Sequence, residues 1–144
     1  MRWMPPFLAI IVMVMGCDQG PPPIQTAPVS GIATYQGKPL EEYRVYFFVP
    51  GSATQEAATG NVGADGHFTL GVREEGGGAI VGLNEVWLVY DPVMPEVGPN
   101  EPVPMTPPPP PKVKIPEKYT SRDTSGITVE VPPEGLENYQ LELE

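Results

Sequence analysis

The chain is predicted to fold as an all-β domain, a seven-stranded antiparallel Ig-like sandwich carrying a proline-rich insert. Three observations predict it. Short runs rich in Val, Phe, Tyr, Ile and Thr recur from Val29 onward, punctuated by Gly, Pro, Asn and Asp. Several runs alternate apolar with polar residues, the period of a strand with one face buried. No window of useful length carries the period of an amphipathic helix.

The strands follow in order. Val29 to Tyr35 is the first and ends at Gln36-Gly37 and Lys38-Pro39. Arg44 to Val49 is the second, stopped by Pro50-Gly51, and Ala57 to Val62 is the third. Asp65-Gly66 is a hairpin signal leading into His67 to Val72, the fourth. Glu74 to Gly78 reads as a loop, Ala79 to Val81 as a short extra piece, and Val86 to Tyr90 as the fifth strand. Ile127 to Val131 and Tyr139 to Leu143 are the last two. Gly37 and Gly66 suit turns that need positive φ, and Gly31 inside a strand points to a bulge or a close backbone approach.

Alternation also names the core. Val45, Phe47 and Val49 share one face, as do Phe68 and Leu70, and Val86, Leu88 and Tyr90. Ile127, Val129 and Val131 match Tyr139, Leu141 and Leu143, with Glu130, Gln140 and Glu142 facing water. With a single cysteine, no internal disulfide can form, so apolar burial must hold the domain.

Between the fifth and sixth strands lies Asp91 to Pro116, a stretch dense in proline throughout, with Pro107 to Pro111 in a row. A stretch of this length without structure of its own is unusual inside a compact domain. Its middle reads as a polyproline arm. Its end, Ile115 to Tyr119, mixes apolar and aromatic residues and reads as docked on the sandwich.

The start of the chain is a different kind of segment. Arg2 is followed by an uncharged, largely apolar run that ends at Met15. Even counted from Pro5, the run falls well short of the roughly 20 residues that a helix needs to cross a bilayer. It closes on Val14-Met15-Gly16-Cys17. This resembles the lipobox of bacterial lipoproteins, with an aliphatic residue three before the cysteine and a small one just before it. The resemblance implies a signal peptide over residues 1–16, a diacylglyceryl thioether on Cys17 and acylation of the freed amino group. Two or three acyl chains anchor stably where one holds only marginally. Asp18 to Pro28, with Pro21-Pro22-Pro23, reads as a stiff extended tether. The implied layout is a signal at 1–16, a lipidated cysteine and tether at 17–28, and a sandwich at 29–144 with the insert at 91–116. The implied address is the cell envelope, outside the cytoplasm, in either membrane.

Cutting before Cys17 removes Arg2 and leaves a chain of single-domain size. It carries 7 basic against 18 acidic side chains, a net charge of −11. That argues against nucleic acid and anionic membrane surfaces as partners. The acidic residues are scattered, which fits a solvated surface.

The β runs carry a second resemblance. Val29 to Leu40, VSGIATYQGKPL, resembles the V-x-G-x-V-x-x-x-G-x-P-L opening of carboxypeptidase regulatory-like, transthyretin-like domains. Val45 to Pro50 is similar to their second strand, and Ala64 to Leu70, ADGHFTL, to their D-G-x-F-x-L hairpin. Ile115 to Tyr119 with Thr124 to Val131 is similar to the C-terminal part of short bacterial lipoproteins that carry one such domain. The stretch Gly82 to Tyr90 departs from the family's G-x-Y-x-V-x-V. The resemblance implies a fold, and a fold does not set an activity.

Catalytic signals are weak. His67 is the single histidine and reads as a solvated hairpin residue; the usual zinc spacings are absent. Ser30, Ser52, Ser121 and Ser125 stand in no nucleophile motif. Gly76-Gly77-Gly78 lacks the lysine and helix of a phosphate loop. The expectation is therefore no catalytic residue, no metal and no cofactor. A binding patch is the stronger signal: in the assigned register Tyr46 and Phe48 point outward on one strand, and Trp87 and Val89 on another. Tyr46, Phe48, Trp87 and Tyr119 form the candidate surface. Three readings stand for it: cover by the proline arm or the Tyr119 segment, contact with an envelope protein, or stacking on a polysaccharide. The sequence points to a non-enzymatic, lipid-anchored envelope protein of structural or protein-binding role, with a carbohydrate-binding module as the alternative.

Overall fold

The computed structural model describes residues 24–52, 54–72, 77–103 and 105–144. The signal segment, Cys17, most of the tether and Glu74 to Gly76 lie outside the described residues. Most of the secondary structure is β: β1 (Thr26–Ala27), β2 (Val29–Tyr35), β3 (Lys38–Pro39), β4 (Tyr43–Phe48), β5 (Ala58–Asn61), β6 (His67–Thr69), β7 (Ala79–Ile80), β8 (Gly82–Tyr90), β9 (Ile127–Val131) and β10 (Leu136–Leu143). A 3-10 turn at Glu117–Thr120 and one helical turn, α1 (Arg122–Ser125), precede β9.

The strands form two four-stranded sheets and a two-stranded ribbon. One sheet runs β5-β4-β8-β9, with every pair antiparallel. The other is built on β2, which pairs with β10, with β3 and with β6. The ribbon joins β1 to β7. The inward residues of both sheets merge in one apolar cluster containing Val45, Phe47, Phe68, Leu88, Val131 and Leu141. The expected core residues are buried on every strand, except that Val49, Tyr90, Ile127 and Tyr139 keep partial exposure at strand ends. Leu40 and Tyr43 join the core as well.

Three expectations need correction. The sandwich is not wholly antiparallel: β10 runs parallel to β2, from Leu136 beside Val29 to Leu143 beside Tyr35. The turn Pro132 to Gly135 carries the chain from β9 in one sheet to β10 in the other, so its return direction is set by the crossing. The strands flanking Asp65-Gly66 do not form a full hairpin. The turn is present, with Gly66 at φ +86°, but β6 pairs with β2, and Thr59 meets Gly71 in a single bridge between the sheets. Finally, the folded domain begins before Val29. Ala27 is buried and pairs with Ala79, so the last residues of the expected tether belong to the fold.

Two glycine readings hold. Gly37 sits at φ +78° in the turn between β2 and β3. A Cβ on Gly31 would lie 2.2 Å from the Tyr139 carbonyl oxygen, the close backbone approach expected of a glycine within a strand.

Candidate binding surfaces

The outer face of β4 and β8 holds the aromatic residues named by the sequence. Tyr46 and Trp87 are direct cross-strand partners, and their rings stack with centroids 5.0 Å apart and 10° between planes. Both are half-buried. The stack is an ordinary consequence of strand geometry, which brings facing side chains within contact.

Phe48 is not exposed: it is 8 % accessible. The Arg122 guanidinium lies over its ring at 4.7 Å, while the Arg122 Nε sits 3.3 Å from Glu85 Oε2. Glu85 is the cross-strand partner of Phe48, so one arginine both covers the ring and meets its neighbour's charge. The turn that presents Arg122 is fixed by Ser125, whose buried hydroxyl donates to the Val86 carbonyl at 2.5 Å. Ser125 and Arg122 carried no signal a single sequence could show, because their partners lie far back in the chain.

Tyr119 also leaves the patch. It is 7 % accessible and belongs to the core cluster, and its hydroxyl donates to the Glu144 carbonyl at 3.0 Å. Ile115 is buried in the same cluster, so the end of the insert is docked as expected.

The arm itself is fastened at the far end of β4 and β8, away from Trp87. Its outgoing limb starts from Asp91, whose N–H donates to Glu42 and whose carboxylate pairs with Arg44 at 2.7 Å. Arg44 Nε also donates to Asn61 at 3.0 Å. The returning limb is held by three contacts. Tyr90 donates its hydroxyl to the Pro109 carbonyl at 2.6 Å, Lys112 meets Glu41 at 2.7 Å, and Tyr43 donates to the Val113 carbonyl at 2.7 Å. The Tyr43 and Tyr90 rings are themselves 5.5 Å apart. Burial pushes both phenols above the ordinary tyrosine range, and Glu42 adds to the effect at Tyr90. Both therefore stay protonated donors at neutral pH.

The two limbs meet in a turn where Glu101 N–H donates to Gly98 and the Glu101 carboxylate accepts from Gly98 N–H. Between them lies an apolar cleft of about 560 Å³, lined by Val93, Met94, Val97, Val103 and the prolines. A second cavity of about 530 Å³ opens at the arm's base among Glu42, Arg44, Asn61 and Asp91. Neither cavity is lined by Tyr46 or Trp87.

His67 stands exposed on its turn, Nδ1 3.2 Å from Asp65 Oδ2. The His67 backbone N–H donates to the Asp65 carboxylate, which holds that carboxyl below its usual range. Among the described residues, no three His, Cys, Asp or Glu side chains group so as to hold a metal ion. One buried polar residue escaped the sequence reading. Asn84, near the start of β8, donates to the carbonyls of Ile80 and Gly82, both at 2.9 Å, and pins the corner into the strand. Its Oδ1 is buried with no hydrogen-bond partner.

No family model, no curated protein and no solved structure matches this chain.

Proposed function

We propose that the protein is a lipid-anchored protein of the cell envelope whose β domain is a non-enzymatic binding or display module. The observation that carries the anchor is Val14-Met15-Gly16-Cys17 at the end of a short apolar run, a brief tether ahead of the first folded strand at Thr26. Acyl chains on Cys17 would hold the domain close to one membrane. The finer reading of the fold is a transthyretin-type sandwich. The glycine positions support it: Gly31, Gly37 and Gly66 occupy the opening and hairpin motifs and have the backbone roles those motifs require.

The surface chemistry favours binding over catalysis. Side chains able to do acid–base work are spent on structure or stand in water: Ser125 is tied to Val86, Arg44 to Asp91 and Asn61, and His67 lies on an exposed turn. The polysaccharide reading loses ground because Tyr46 takes one face of the Trp87 ring. A glycan array with Trp87→Ala as control decides that point. The anchor is tested by detergent phase partition and intact mass. The native protein should enter the detergent phase with the mass of an acylated Cys17, and Cys17→Ser should stay aqueous. An unmodified thiol on a water-soluble native protein would overturn the proposal.

A further inference from the structure

We propose that the returning limb of the arm, Thr106 to Lys112, is a polyproline ligand that the domain presents to a partner protein whose groove is lined by aromatic rings and rimmed by basic side chains. This rests on the protein-binding reading above and specifies the partner's chemistry.

Five consecutive prolines leave little conformational choice. Each ring fixes its own φ at about −65°, and each proline pushes the residue before it into extended backbone. The run from Pro107 to Pro111 is thus confined to the polyproline II form, with three residues per turn, so Pro107 and Pro110 share a face. Such a helix has no internal hydrogen bonds. Its usual recognition is by aromatic side chains that pack against the proline rings.

The domain holds this run without covering it. Pro107 to Pro110 are exposed, yet the segment is clamped by Tyr90 on Pro109, Glu41 on Lys112 and Tyr43 on Val113. Order imposed before binding lowers the entropy lost on binding. Val103 is 73 % accessible and Met105 is fully exposed, so apolar side chains stand open just ahead of the run. Charge selects the rim. From Asp91 to Pro111 there are three acidic residues and no Lys or Arg, and Asp91 is already paired with Arg44. Glu96 and Glu101 remain to meet basic groups on the partner.

Position excludes two other occupants. The chain enters the fold where Gln25 accepts from Val81 N–H, beside Gly82 at the start of β8; the arm leaves from Tyr90 at its far end. The length of β8 separates these points by about 27 Å. The tether from Cys17 to Ile24 spans about 22 Å even when fully extended in polyproline form, so neither it nor the lipid attached to it reaches the arm. A second copy would bring two acidic arms together.

The test places a photo-crosslinking residue at Met105, or at exposed Glu130 as control, in the lipidated protein in its native membranes. The expected result is an adduct with a different protein from position 105 and not from 130. A large excess of synthetic peptide spanning residues 103–113 should abolish it, as should Pro107→Ala with Pro110→Ala in a variant of unchanged melting temperature. Adducts only with lipid or with a second copy, no adduct, or an adduct that survives both peptide and double variant would overturn the proposal. A purified WW domain serves as a second probe. It should bind the full mature chain in detergent at least as tightly as it binds the free peptide, and binding more than about tenfold weaker would show that the run is not presented. Detergent partition of the same preparations separates the two readings. Partition without a competable adduct sinks the ligand and leaves the anchor; a competable adduct on a chain that stays aqueous does the reverse.

Discussion

Replacing Gly31 by alanine probes the least expected feature of the fold, the parallel pairing of β2 with β10. The new Cβ would lie 2.2 Å from the Tyr139 carbonyl oxygen and 3.0 Å from the Phe68 ring. The carbonyl belongs to backbone and cannot rotate away, so the strands must separate by about 1 Å to restore van der Waals contact. A ladder bond stretched that far is lost. Losing one or two such bonds costs about 1 kcal/mol each, and overpacking the inner side of β2 against Phe68 adds about 1–3 kcal/mol. The expected loss is about 3–4 kcal/mol, a large share of the ~5–15 kcal/mol that holds a domain together. In a domain of this size that lowers Tm by roughly 10–20 °C. Gly37→Ala is the control. Its Cβ meets nothing within 4 Å, and only the left-handed backbone at φ +78° resists it, at about 1–2 kcal/mol. Urea titration of both variants with unchanged m-values gives the comparison. A Gly31→Ala chain indistinguishable in stability from wild type would show that β10 does not lie against β2 in this register.

Ser125→Ala strands the Val86 carbonyl and loosens the turn that seats Arg122 on Phe48; a loss of about 1–3 kcal/mol is expected in urea unfolding. Asn84→Ala releases two buried carbonyls but also removes an unpartnered Oδ1, so its cost should be smaller than two lost hydrogen bonds, about 1–2 kcal/mol by the same assay. In the chain lacking residues 1–16, Trp87 is the sole tryptophan, and Tyr46→Ala should shift its emission to the red without unfolding the domain; unchanged emission would contradict the stack. Tyr43 has its folded pKa raised by burial, so its neutral form is the one the fold favours. Its contribution is complete below the unfolded value of about 10 and disappears as pH rises through the higher folded value, a loss that a Tyr43→Phe chain should not share.

Strand positions were legible in the sequence because their signal is local. A period of two along Val45 to Val49 or Tyr139 to Leu143 depends only on which face meets the core, and observed β2 and β9 match their predicted limits. Turn glycines were legible for the same reason: Gly37 and Gly66 answer to backbone sterics at their own positions. The candidate surface was legible only in part. Alternation placed Tyr46, Phe48 and Trp87 on the outward side, and there Tyr46 and Trp87 stack. Whether an outward ring meets water depends on what the rest of the chain lays over it. Arg122, four strands further along the chain, covers Phe48, and Tyr119 is drawn into the core instead of onto the face.

By itself, then, the chain's sequence determined its β character, its apolar layers, the extended stiffness of its proline run and the acidic balance of its surface, all properties of residues and their near neighbours. Tertiary structure alone decided that β10 returns parallel to β2, that β6 joins β2 and not β5, and that Tyr43, Tyr90 and Glu41 hold the arm clear of Trp87. Those outcomes are choices among strand edges and clamps far apart in the chain. Only closing the loops between them makes one choice better than the rest.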